Sequence, residues 1–344
     1  MRRYLPILLM SFFVLIIVLA GSIYLPGYAD EKKAENLKNI TVYTTLPVEQ
    51  VAVLSQEYEK NQTIRVNIVP LTENDLILKL RSESMHPQAD IILATKTVLE
   101  QAKKNKLLDQ VNSEQLDIIP VRYKEENNYW YGIWYDPIVL AVNKDLQKIS
   151  TQLPVTWDDL INDKRLRIGI TDFLAAEASA NLFYTLTSVN GETQTLAFLQ
   201  KLHLQVVQYS KFLATPVRMV GMGEADIAIA VQSEVTRYIH DSFPVKIVYP
   251  ADGTAYLLTG VGLVSGSSHK TDSKAFMDWL VQNNAQIVLE KNKFYYVPTN
   301  PELPGYKDFN QKNVKLLENK DIVTIEQKHR LLDKWVQTVR ISSK

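Results

Sequence analysis

QYSKFLATPVRMVGMGEADIAIAVQSE, from Gln208 to Glu234, is the stretch around which the chain can be read. It runs as a strand end, a polar turn, a short helix and a buried strand. Thr215 before Pro216 predicts a helix start, with a hydroxyl at the N-cap and proline in the first turn. Gly221 and Gly223 are expected to stop that helix. Asp226 to Val231 is then the small-and-branched apolar run of a strand covered on both faces. One βαβ step of an α/β core accounts for all of it.

Upstream the same grammar repeats. Ile40–Thr44 reads as a strand, followed by a helix with Val51, Leu54 and Tyr58 at helical spacing. Ile64–Val69 is a second strand, Glu73–Ser84 an amphipathic helix, and Ala89–Ala94 a third strand. Thr95 is placed to cap the helix that follows, through Lys104. This order argues for a parallel sheet with helices on its faces. Tyr129–Pro137, YWYGIWYDP, is an aromatic segment that leads into a buried strand over Ile138–Val142. Thr156 is the expected cap of the next helix, and a second βα series follows through Val264. The tail from Asn310 to Ile341 is expected to be mostly helical.

The chain has 344 residues, 46% of them hydrophobic, with 38 basic and 38 acidic side chains. That length suits two lobes rather than one core. No basic stripe is visible, so nucleic acid is not expected as a partner. Cysteine is absent, which excludes disulfides, thiolate metal sites and a cysteine nucleophile. Arg2 and Arg3 precede an apolar run from Leu5 to Leu19, and Gly27-Tyr28-Ala29 resembles a cleavage site. An export signal over 1–29 is the expectation, with an uncleaved membrane anchor as the alternative. The protein is therefore expected to be periplasmic or extracellular.

ITVYTTLPVEQV, ADIILAT, GIWYDPIVLAVNKDL, PVTWDDL, GMGEADIAIAV, VYPADGTAYLLTGVGLVSG and YYVPTNPEL follow one another in register over about residues 38–303. In that order they resemble the extracellular solute-binding proteins of ABC importers. These have the type 2 periplasmic-binding fold, which includes the iron(III)-binding proteins. The resemblance implies two lobes, each a mostly parallel sheet flanked by helices, closing over a ligand. It also implies crossing strands near Tyr135–Leu140 and Thr254–Val261. The expected division is a tether over 30–39, the first part of lobe 1 over 40–134, lobe 2 over 135–252, and a return to lobe 1 over 253–344. Some of the C-terminal helices are expected to pack on lobe 2.

In such sheets ligands meet the carboxyl ends of strands, where helix N-termini offer unpaired N–H groups. The hydroxyl-bearing turns there make Thr44, Thr45, Thr95, Thr171, Ser210 and Thr215 the candidate ligand contacts. Trp134 and Tyr135 could stack on an organic body. Lys96, Lys211 and Arg218 stand nearby to balance charge. By the family's pattern, ferric ion needs a tyrosine pair after the strand ending at Val231. Gln232, Ser233 and Glu234 stand there instead, and the adjacent Tyr295 and Tyr296 read as packing residues. The five histidines are scattered and read as surface residues, and the acidic pairs Asp158-Asp159 and Glu125-Glu126 as solvated faces. No motif for catalysis is present, and neither a cofactor nor an enzymatic activity is expected. The expected role is that of a monomeric solute-binding component of an ABC importer, handing a small organic anion to a membrane permease. The alternatives are a membrane-anchored ligand sensor acting with a sensor kinase, and an iron(III)-binding transport protein.

Overall fold

The computed structural model describes residues 38–60, 62–145, 153–321 and 324–341. The signal or anchor expected over 1–29 lies outside them, as does the tether apart from Lys38 and Asn39. The chain begins with Lys38–Thr44 (β1), Val48–Lys60 (α1), Ile64–Pro70 (β2), Glu73–Ser82 (α2), Ile91–Thr95 (β3) and Lys96–Lys104 (α3). Leu108–Asp109 (β4) and Glu114–Asp117 (α4) then lead to the long strand Tyr131–Asn143 (β5). Next come Trp157–Asn162 (α5), Ile168–Thr171 (β6), Glu177–Asn190 (α6), Glu192–His203 (α7) and Val206–Ser210 (β7). Ala214–Gly221 (α8), Ile227–Val231 (β8), Gln232–His240 (α9) and Val245–Val248 (β9) follow. The return is made by Tyr256–Val264 (β10), Lys270–Leu280 (α10), Asn283–Lys291 (α11), Val297–Pro298 (β11) and Pro304–Asn310 (α12), and Ile325–Trp335 (α13) then runs on into a π-helical turn over Val336–Arg340.

The strands form one curled path, β2-β1-β3-β10-β5-β8-β6-β7, with helices on both faces. In the first lobe β1 lies parallel between β2 and β3, and β10 runs antiparallel to β3. In the second, β6 lies parallel between β7 and β8. Strand β5 belongs to both: Tyr131–Pro137 pairs with β10, and Ile138–Val142 pairs with β8. The expected α/β architecture is therefore present.

The alternation in Ile227-Ala-Ile-Ala-Val231 is resolved by the packing. Ile227, Ile229 and Val231 face the large core under α6 and α7. Ala228 and Ala230 face the smaller cluster formed with Val217 and Val220 of α8. Small residues on that face let α8 pass close to the sheet, and Pro216 comes near Gly169 of β6. The first core draws on both ends of its lobe, from Ile40 to Tyr135 and from Tyr256 to Phe309.

Three expectations are corrected. The tail is helical only from Ile325 onward. Before it, Leu316 forms a parallel bridge with Thr254, whose N–H donates to the Lys315 carbonyl at 2.9 Å. Those backbone groups go to the joint between lobes, so no helix forms there. His203 is buried and hydrogen-bonds Tyr209 at 3.0 Å, not exposed as expected. Glu125 is buried too, accepting from Lys103 and from the N–H groups of Asn127 and Tyr129. Thr156 does cap α5 as expected, in a reciprocal box with Asp159.

Strand β10 shifts register at Thr259/Gly260, where a Cβ on Gly260 would lie 2.5 Å from the Tyr131 carbonyl oxygen. Backbone cannot yield as a side-chain end can. Gly260→Ala should therefore destabilise the protein by about 1–3 kcal/mol, measured as a lower urea midpoint at unchanged slope.

Candidate functional site

The strand ends hold the hydroxyls expected there, but three of them, those of Thr44, Thr95 and Thr171, are already engaged. Thr44 donates to the Leu93 carbonyl at 2.7 Å and accepts from the Leu46 N–H, which locks the turn after β1. Thr95 occupies the N-cap position of α3, yet its hydroxyl donates to Glu73 at 2.9 Å instead of accepting from the helix. Thr171 makes a long bond to the Phe212 carbonyl, at 3.4 Å. The Thr45 and Ser210 hydroxyls are buried without a hydrogen-bond partner among the described residues. One stands at the end of β1 and the other at the end of β7, so each lobe carries one.

Thr215 is not a cap. Leu213 holds the N-cap position of α8, and Thr215 is the helix's second residue, its N–H donating to the Phe212 carbonyl at 3.1 Å. Helical geometry begins two residues earlier than the Thr-Pro pair implies, because proline is also tolerated later in the first turn, where its missing N–H has no intrahelical partner. Trp134 and Tyr135 alternate across β5, and both rings are buried in the first core. Trp134 stacks on Tyr296 at 5.5 Å, and Tyr135 on Tyr123 at 4.9 Å. Burial pushes the Tyr135 phenol well above its ordinary range.

Two groups of residues reach across the cleft between the lobes. At the start of α3, Thr95, Lys96 and Thr97 share a cavity of about 60 Å³ with Asn181 and Thr185 of α6. Helix α3 has no side chain capping its N-terminus and no acid in its first turn, and Lys96 is its first residue. Asn181 also donates to the Tyr256 carbonyl at 2.8 Å, which joins α6 to β10.

The second group surrounds the start of α9, and sequence reasoning missed most of it. Asp136 of β5 is buried and accepts from the Ser233 N–H at 3.0 Å and the Ser233 hydroxyl at 2.5 Å. Burial pushes its carboxyl up to about 7, against the opposing pull of those two bonds. Gln50 of α1 donates to the Tyr296 phenol, and Tyr249 donates to Gln232 at 2.8 Å. Tyr296 titrates well above its ordinary range, first through burial and then through the charges of Asp136 and Glu234. Burial also raises Glu234, which pairs with Arg237. One signal was available: Asp136 is the lone charge within a 13-residue apolar strand. Among the described residues, no group of three or more His, Cys, Asp or Glu is placed to hold a metal ion.

A family of known proteins matches this chain over residues 86–320: the bacterial extracellular solute-binding proteins. The chain belongs to that family. Its fold is that of the periplasmic binding proteins that serve ABC importers. The periplasmic binding protein AfuA from Actinobacillus pleuropneumoniae, solved with fructose-6-phosphate bound, superposes with a TM-score of 0.72 at 22% identity, covering 89% of this chain and 99% of that one. Iron uptake protein A1 of Synechocystis is 23% identical over 304 residues, 81% of this chain and 82% of its own. A putative 2-aminoethylphosphonate-binding periplasmic protein of Salmonella typhi is 25% identical over 219 residues, 61% of this chain and 63% of its own. Members of the family bind small ligands and work with a membrane permease.

The cluster around Asp136 carries a titration that can be measured without solute. Folded Asp136 keeps its proton to about pH 7, whereas the unfolded chain releases it near the model-peptide value of 3.8. Between those values the native state binds the extra proton, so this group's contribution to stability is full at low pH and is lost as pH rises through the window. Asp136→Asn cannot titrate. Its stability relative to wild type should climb between about pH 4 and 7, by up to about 4 kcal/mol, and then level off. Parallel stability curves from urea titrations across that window would mean that Asp136 is ionised in the fold.

Proposed function

We propose that the protein captures a small organic anion carrying a phosphate or phosphonate group and delivers it to the permease of an ABC importer. The observation that carries this reading is the start of α3. A lysine at the first position of a helix opposes the positive end of the helix dipole; the Glu318 carboxylate, 3.9 Å from Lys96, offsets this only in part, and an anion bound there offsets both. The unpaired N–H groups of that first turn, flanked by Thr95 and Thr97, supply the donors, and the small cavity facing α6 admits an oxyanion head group. The free Thr45 and Ser210 hydroxyls are further donors at strand ends. Relatives named for a phosphonate and a structure bearing a sugar phosphate support the same class of cargo.

Iron is the second reading, favoured by a relative named for iron uptake and by the Tyr296 phenol lying within electrostatic reach of Asp136 and Glu234. Phenolate and carboxylate oxygens are the donors a hard cation takes. One experiment separates the two. In a thermal-shift panel, fructose 6-phosphate, 2-aminoethylphosphonate or inorganic phosphate should raise the melting temperature, while neutral fructose leaves it unchanged. Lys96→Ala should weaken the best binder about tenfold or more, the usual scale of a charge-assisted contact. Stabilisation by neutral compounds alone would sink the anion reading. A visible phenolate band on adding ferric citrate would replace it with a metal cargo.

A further inference from the structure

Helix α13 is fastened to the second lobe. Leu331 and Trp335 are fully buried in that lobe's core, and Trp335 packs on Phe173 at 4.8 Å between ring centroids. Arg330 and Lys334 both pair with Glu192 of α7. Lys328 of the same helix nevertheless reaches the first lobe. Its side chain is only 3% exposed and lies 5.5 Å from the Tyr184 ring centroid. It donates to Glu177, at the start of α6 in its own lobe, and to Glu73 at 3.3 Å, at the start of α2 in the other. Thr95 donates to the other oxygen of Glu73, which holds that carboxylate in place from the first lobe. The pair Lys293–Asp241 also spans the lobes, but its side chains are 55% and 43% exposed, so water and salt compete with it.

We propose that Lys328 is a latch that holds the two lobes closed in the absence of solute, through its bond to Glu73. The proposal rests on the reading of the cleft as one that opens and closes. The two carboxylates play different parts in it. Because α13 and α6 belong to one lobe, the Lys328–Glu177 contact survives opening, whereas the Lys328–Glu73 contact exists only when the lobes meet. The energy of that second contact is therefore differential between the two states, which is what shifts an equilibrium. Loss of a charge-assisted bond of this kind should move the closed-to-open ratio about tenfold or more.

The test is small-angle X-ray scattering of purified protein with no solute added, comparing wild type with Lys328→Met, Glu73→Gln and Glu177→Gln. Wild type should scatter as the closed form. Lys328→Met and Glu73→Gln should have a larger radius of gyration, and Glu177→Gln should stay near wild type. Glu73→Gln keeps the lysine and the packing of α13, so it carries the test if Lys328→Met fails to fold. A wild type already open, no expansion in Glu73→Gln, or equal expansion in Glu177→Gln would each overturn the latch. Failure of phosphate-bearing compounds to bind would count against the proposed cargo and leave this solute-free comparison untouched.

Discussion

The structure depends on a single strand serving two sheets. Strand β5 gives its first half to β10 and its second to β8, and its side chains are buried on both faces from Tyr131 to Val142. Pro137 stands where the partners change. It has no N–H to offer a ladder, so the place of weakest pairing in the strand coincides with the place where the lobes part. Neighbouring groups close the gap: the Ile138 N–H donates to the Ala255 carbonyl at 2.8 Å, and the Thr254 hydroxyl donates to the Ile138 carbonyl at 2.6 Å. A joint of a few residues with its own hydrogen bonds satisfied is the sort of element that absorbs a rotation without exposing a core.

Much of this was legible because it is local. Strand and helix periods, the apolar run after Asp226, the capping box at Thr156 and the helix stop at Gly221 are written within a few residues of where they act. The strap before α13 was not, because Val314 to Leu317 is apolar enough to read as helix and takes its bonds from Thr254, some sixty residues away. Thr215-Pro216 misled for a different reason: the pair is compatible with two helix starts, and Leu213 and Ala214 extend the helix backward.

The site was less legible than the fold, and the reason is partnership. A hydroxyl at a strand end is visible in sequence, but whether it is free is decided by what the fold brings beside it. Thr44 and Thr95 look alike on the page as strand-end threonines, yet one locks its own turn and the other serves Glu73. Asp136, Tyr296 and Gln50 lie far apart in the chain and become one cluster only through β5, β11 and α1. Lys328 lies farther still, and nothing near it in sequence distinguishes it from the other lysines of an amphipathic helix.

Charge is distributed unevenly across the cleft, and that shapes how closure and solute share energy. The start of α3 sets Lys96 between Glu73, which Thr95 holds, and Glu318 at 3.9 Å, whereas the start of α9 gathers Asp136 and Glu234, both pushed up by burial. Acids that burial makes costly to ionise resist desolvation when the lobes meet, and a buried lysine between two glutamates offsets part of that cost elsewhere in the same cleft. A solute then need supply only the difference between the states. If the protein's own groups already favour closure, the solute's contacts add to a shape that exists without it, but entry waits for the lobes to open. On the proposed latch, the fraction of molecules that is shut slows entry but does not lower affinity, because a contact present in both the empty and the filled closed forms stabilises the filled one at least as much.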